Sequence, residues 1–261
     1  MVISINYPIS AAIDSYTRQD QADAVSKSSL VTQQSPLNAI TLNPLTALQR
    51  VAASTVTQLS SYGQIKSSLA DLQDKALALK NISQPPTFSD FKVVVQAFVQ
   101  SFNSINKTVS NLTSKKGSLN GDNRSSEALN DIRKAAGGKD GKTLSALKEL
   151  GISQQADSTF SINHKEMKKS FQANPENALS TIFDLANRVT EASDKLLSDN
   201  GTIGKKTNDL NARIDKLQSA YDTVEGYMST QPSPPQASTT SVAGGYTAFN
   251  AIAIYASVAS F

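Results

Sequence analysis

The feature that most constrains this chain is a repeating stripe near its C-terminal end. Ile203, Thr207, Leu210, Ile214, Leu217, Tyr221, Val224 and Met228 follow one another at alternating steps of four and three residues. A helix brings residues so spaced onto one stripe, whereas a strand would scatter them over both faces. More than three heptads of this pattern predict a helix of about 39 Å at a rise of ~1.5 Å per residue. A seam this long must be covered. The periodic segment from Leu45 to Asn81 offers an intramolecular, antiparallel partner, and a neighbouring subunit is the alternative. The plainer reading is that the seam is the core stripe of an ordinary helical bundle, which leaves function open.

The Leu45 segment carries Leu48, Val51, Leu59, Tyr62, Leu69, Leu72, Ala76 and Leu79, mostly three, four or seven apart. Asn43 and Pro44 make a helix start, and Gln84-Pro85-Pro86 makes a stop. A second helix is predicted from Phe88 to about Leu112, capped by Thr87 or Ser89, with Val94, Phe98, Phe102 and Ile105 on one face. After a Gly/Asn/Ser-rich link, Ser125 or Ser126 is the expected cap of a short helix that ends at the glycines from Gly137 on. Residues 144–150 give one more helical stretch. The run 152–162 alternates at both ends and reads as a small hairpin turning near Asp157-Ser158. Asn163, with Glu166 three residues on, predicts a box-like cap for a helix carrying Met167 and Phe171. A further helix after Asn174-Pro175 carries Leu179, Ile182 and Phe183.

Composition narrows the chemistry. There is no cysteine and one histidine. Disulfides, thiolate catalysis, cysteine-based zinc sites and any site needing two histidines are excluded. His164 reads as a solvated surface residue. Asp184 and Glu191, two helical turns apart, read as surface charge rather than an acid–base pair. The glycine-rich run from Gly137 to Thr143 lacks the first glycine of a phosphate loop, because Ala136 stands there, and no apolar strand precedes it. Asp122 has no further calcium-loop ligands around it. No catalytic, cofactor or metal site is expected, and the chain is not read as an enzyme.

A net charge of +3 is too small to imply nucleic-acid binding. The distribution is more telling. Between Leu30 and Ile65 the only charged residue is Arg50, and none follows Glu225. Solvated surfaces usually carry charge, so these neutral ends suggest surfaces meant to be covered or flexible tails. The expected organisation is an N-terminal assembly segment over 1–43, a helical core domain over 44–228 with its hairpin near 152–162, a Pro/Ser/Thr linker over 229–245 and an apolar tail over 246–261. The tail, with Tyr246, Phe249, Ile252, Ile254 and Phe261, is too short and polar to span a bilayer as a helix. It is expected to dock on the core or on another subunit, and membrane contact is not expected except through it. The N-terminus lacks the basic start of a cleavable secretory signal.

Several motifs in order carry a family resemblance. Phe98-Val99-Gln100-Ser101-Phe102-Asn103-Ser104-Ile105 surrounds an aromatic–Asn pair. Gly117-Ser118-Leu119-Asn120-Gly121-Asp122 follows a G-x-L-x-G-D pattern, and Leu147-Lys148-Glu149-Leu150-Gly151-Ile152 follows L-x-E-L-G-I. Asp157-Ser158-Thr159-Phe160-Ser161-Ile162-Asn163 is similar to D-G-T-L-x-L-D, with Ser158 in place of the glycine and Asn163 in place of the acid. Asn174-Pro175 with Ile182-Phe183, then Gly201-Thr202-Ile203, complete the order. Together they resemble the bacterial flagellar filament-capping (hook-associated) protein family, in a shortened form. Where that family inserts outer variable domains, this chain has only Gln84-Pro85-Pro86-Thr87.

The resemblance implies a core of long helices with a small β element, export by the flagellar type III route, and assembly into small rings that help flagellin insert. The expected fold is mainly α: a long antiparallel helical coiled-coil core, a small β-hairpin and flexible termini. The expected role is that of a self-assembling structural protein, secreted to the bacterial cell surface or flagellum. Its partners would be copies of itself and flagellin or other filament subunits. The alternatives are a surface-filament or adhesin subunit forming open fibres, and a membrane-active effector acting through the tail.

The seam makes a direct prediction. Leu217→Asp places an unpaired charge in it and should lower both helicity and Tm. A circular dichroism spectrum and melting curve unchanged from wild type would remove Leu217 from the seam.

Overall fold

Proline at the first position of a helix loses no hydrogen bond and fixes a helical φ, and the first helix begins at one. The computed structural model describes residues 44–82, 86–138 and 142–230. The chain is mainly α with a small two-stranded hairpin. In order it runs α1 (Pro44–Lys80), α2 (Phe88–Thr113), α3 (Asn123–Gly137), α4 (Lys142–Glu149), β1 (Ile152–Gln154), β2 (Phe160–Ile162), α5 (His164–Ala173), α6 (Pro175–Leu197) and α7 (Thr202–Thr230). The assembly segment expected over 1–43, the linker from residue 231 on and the apolar tail, with Tyr246, Phe249, Ile252, Ile254 and Phe261, lie outside the described residues.

Two compact units share the chain, Met1–Thr57 with Leu210–Phe261, and Gln58–Asp209. α1 leaves the first unit after Thr57, and α7 re-enters it at Leu210.

Within the Gln58–Asp209 unit, the core is built on strict stripes. α1 buries Tyr62, Ile65, Leu69, Leu72, Ala76 and Leu79, and α2 buries Phe91, Val95, Phe98, Phe102, Ile105 and Val109. Each set alternates steps of three and four. The structure therefore corrects two details of the periodicity. Leu59 is only half-buried while Ile65 is fully buried, and on α2 it is Val95, not Val94, that faces the core. Complete burial of each large apolar side chain contributes about 1.5–3 kcal/mol. Aromatic contacts reinforce this packing: Phe91 lies 4.7 Å from Phe171 of α5, and Phe102 lies 4.7 Å from Phe160 of β2, centroid to centroid.

The helix ends are closed by side chains. Thr87 caps α2 in a reciprocal box with Asp90, whose carboxylate accepts from the Thr87 N–H at 3.1 Å. Those hydrogen bonds hold the Asp90 carboxyl below its ordinary range. Asp122, not a serine, caps α3, accepting from the Ser125 N–H at 3.1 Å. Ser125 is instead fully buried inside the helix. Asn163 caps α5 as expected, but its own N–H already donates to the Gly151 carbonyl at 2.7 Å. No donor is left for Glu166, so the expected box does not form. Asn174 serves two helices. Its N–H closes α5 on the Ser170 carbonyl, and its side chain caps α6 on the Asn177 N–H. Pro175 then takes the first turn of α6.

The hairpin is antiparallel with Ser153 opposite Ser161 and Gln154 opposite Phe160. The Gln155 N–H donates to the Thr159 carbonyl and the Asn163 N–H to the Gly151 carbonyl. The intervening alternation makes Gln154 and Phe160 a non-hydrogen-bonded pair, so the N–H and C=O of Phe160 point away from β1. Both are met by one side chain. Asn103 of α2 donates its amide N–H to the Phe160 carbonyl at 2.8 Å and accepts the Phe160 N–H at 2.8 Å. The amide thus stands in for a third strand and ties the hairpin to α2.

Asn103→Asp keeps the acceptor but sets a carboxylate oxygen against the Phe160 carbonyl. Losing that bond beside a buried aromatic should cost about 1–3 kcal/mol. Urea unfolding would show it as a lower midpoint with unchanged slope, while Asn103→Gln should not restore the midpoint because its longer arm misplaces both partners.

Candidate assembly interface

A helix destined to pack along its length puts its largest apolar residues where two successive turns overlap. On α7, Ile203, Leu210, Leu217 and Val224 are buried, at intervals of one heptad. Thr207, Ile214 and Tyr221, the intervening positions, are half-buried. The Met228 side chain lies outside the described residues.

In the unit that contains residues 44–57 and 210–230, Leu48 and Ala52 of α1 pack with Leu217 and Val224 of α7, and Val51 and Ala220 flank them. Leu217 is 1% exposed. Thr55 turns its hydroxyl back onto the Val51 carbonyl at 2.8 Å. Arg213 is half-buried beside Ile214, and its Nε is buried with no hydrogen-bond partner among the described residues. Ile214 and Tyr221 keep part of their apolar surface exposed on α7.

The motifs in the Gln58–Asp209 unit are positioning devices. Ser101 donates to Asp71 at 2.6 Å, tying α2 to α1. Asn106, buried, donates to the Phe102 carbonyl at 2.9 Å and accepts from Arg133 Nε at 2.7 Å. Partial burial lowers the pKa of Arg133, opposed by the charge of Asp157. In the link before α3, Leu119 is buried and acts as the anchor. A side chain on Gly117 would lie 2.1 Å from the Leu112 carbonyl oxygen, so only glycine fits there. Asp122 closes the link: besides capping α3, it accepts the hydroxyl of the fully buried Tyr62 at 2.9 Å. Burial pushes the Tyr62 phenol well above its ordinary pKa, and the Asp122 charge adds to the effect.

The Asn103, Asn106 and Tyr62–Asp122 contacts were not read from periodicity. For Asn103 the available signal is its place directly after the buried Phe102. Of the weighed candidates, His164, Asp184 and Glu191 are exposed on helices. Among the described residues, no group of three or more His, Cys, Asp or Glu is placed to hold a metal. No helix among them is long and apolar enough to cross a membrane.

In the hairpin turn, Asp157 accepts the Thr159 N–H at 3.0 Å and its hydroxyl at 2.6 Å. These bonds hold the Asp157 carboxyl below its ordinary range. Ser158 sits at φ 64°, the one positive value for a non-glycine among the described residues. It occupies the position where the motif expects glycine.

A family model described as flagellar hook-associated protein 2 C-terminus matches residues 71–233, more than half of the chain. No curated protein matches it. The matched stretch contains the aromatic–Asn pair, the link to α3, the hairpin and α7.

Ser158→Gly removes the left-handed penalty at the turn at a smaller cost in unfolded-state freedom, a net gain of about 0.5–1 kcal/mol. Thermal melting should show a modest rise in Tm for Ser158→Gly and a fall for Ser158→Val.

Proposed function

As the chain belongs to the family of the flagellar hook-associated protein 2 C-terminus, a structural, flagellar-cap-like role is its coarse assignment, and we propose that it acts as an exported protein that self-assembles at the distal end of a filament. The observation that carries this reading is the family match over 71–233, falling on helices whose stripes are built for packing rather than on a catalytic constellation. The half-buried Ile214 and Tyr221 support a contact between subunits along α7. Removing their remaining apolar area from water would contribute about 25 cal/mol per Å². The neutral stretches around 30–65 and 241–261 are read as further covered surface. Copies of this chain and flagellin or related filament subunits are the partners, and the outer surface of the bacterium or its flagellum is the location.

A second reading is favoured by one observation. α1 ends at Lys80 and α2 begins at Phe88, so the place where the family carries outer domains is a short link. A core without that plate suits an open-fibre or adhesin subunit whose contacts repeat head to tail.

Electron microscopy of the purified chain over a concentration series, with mass measured on the same samples, separates the two. Closed rings or short stacks are expected for a cap. Long regular fibres would replace the capping role with the filament role, and a monomer at every concentration would defeat both.

A further inference from the structure

The chain contains two Asn-Gly steps, Asn120–Gly121 and Asn200–Gly201, and the fold treats them in opposite ways. Each lies in a link that follows the end of a helix. Gly201 is buried, its N–H donates to the Ser198 carbonyl at 2.8 Å, and an added side chain would lie 2.0 Å from the Lys195 carbonyl oxygen. Its main chain is clamped. Gly121 is exposed, and nothing lies within 4 Å of where its side chain would be. The N–H groups on either side of it are occupied, Asn120 by the Gly117 carbonyl at 3.2 Å and Asp122 by the Leu119 carbonyl at 2.9 Å. The Gly121 N–H itself makes no hydrogen bond among the described residues.

We propose that Asn120–Gly121 is a site of spontaneous self-modification in the folded protein, converting to aspartate and isoaspartate, and that Asn200–Gly201 is protected from it. The Gly121 nitrogen attacks the side-chain carbonyl carbon of Asn120 and gives up its proton to solvent. The bond from that carbon to the side-chain nitrogen breaks, and ammonia leaves. The resulting five-membered imide is opened by water at either carbonyl, giving aspartate or, with the main chain rerouted through the side chain, isoaspartate. No electrons are gained or lost, and water is the only co-reactant. Glycine favours the attack because no side chain shields its nitrogen. One exposed contact opposes it: Asn120 Nδ2 donates to the Lys115 carbonyl at 3.0 Å, a bond that water can replace.

The position of the step gives the change a consequence. Asn120 lies between the buried anchor Leu119 and Asp122, which caps α3 and holds the Tyr62 hydroxyl. Isoaspartate adds a carbon to the main chain within that span. The link would then no longer hold Asp122 at the same distance from its anchor, and old molecules would differ from new ones at the start of α3.

The test is to incubate the full-length chain in mildly alkaline buffer at physiological temperature, folded and in denaturant, and to follow both steps by peptide mass spectrometry with enzymatic methylation of isoaspartate. Several-fold faster conversion at Asn120 than at Asn200 in the folded chain, with similar rates in denaturant, is the expected result. Equal or faster conversion at Asn200 in the folded chain would overturn the proposal. So would a folded chain that stays intact at Asn120 while the denatured chain converts.

Discussion

Everything in the Gln58–Asp209 unit depends on burying two stripes whose residues alternate three and four apart. The stripe of α1 and that of α2 hold the largest fully buried side chains of the unit, including Tyr62, Phe91, Phe98 and Phe102. Stripes of this kind fix which face of each helix turns inward and leave little freedom in helix rotation. The polar devices act on that frame. Ser101 reaches Asp71, Asn106 reaches Arg133, and Tyr62 reaches Asp122 only because the stripes have already set the facing turns. The energies differ in kind. Apolar burial supplies most of the stabilisation, while each polar contact adds about 1 kcal/mol net and chiefly excludes alternative registers.

The parts of this architecture legible in sequence were those written in periodicity or punctuation. Helix existence, the Pro44 start and the hairpin over 152–162 follow from spacing and turn residues. Details within a stripe were less legible, because neighbouring apolar residues compete for the same face. Val94 and Val95 are indistinguishable by type, and only the partner helices select Val95. Capping was mixed: Thr87 and Asn163 could be read locally, but Asp122 displaced Ser125 once its carboxylate could serve both a helix end and the Tyr62 hydroxyl. Long-range polar pairs such as Asn103 with Phe160 left no periodic trace. The α7 stripe was legible from its spacing, whereas the half-burial of Thr207, Ile214 and Tyr221 depends on surroundings no local pattern encodes.

The family assignment and the physics meet in the motifs. Gly117 is required by a close carbonyl, Leu119 by the core, and Asp122 by two hydrogen-bond donors. Ser158 shows the same logic by exception: the backbone keeps the left-handed turn that glycine would adopt freely, and Asp157 steadies it by accepting two hydrogen bonds from Thr159. Between Lys80 and Phe88 the chain makes only a short link, so α1 and α2 follow one another directly in the helical frame.

The pairing of Asn103 with Phe160 has a consequence beyond holding the hairpin in place. A two-stranded sheet has two open edges, and an open edge is a template on which another chain can add a strand. At Phe160 the outward-facing N–H and C=O of β2 are both already taken by a side-chain amide. At that position an incoming strand would find neither a donor nor an acceptor to pair with. One asparagine thereby closes that point of the edge to strand addition by another chain.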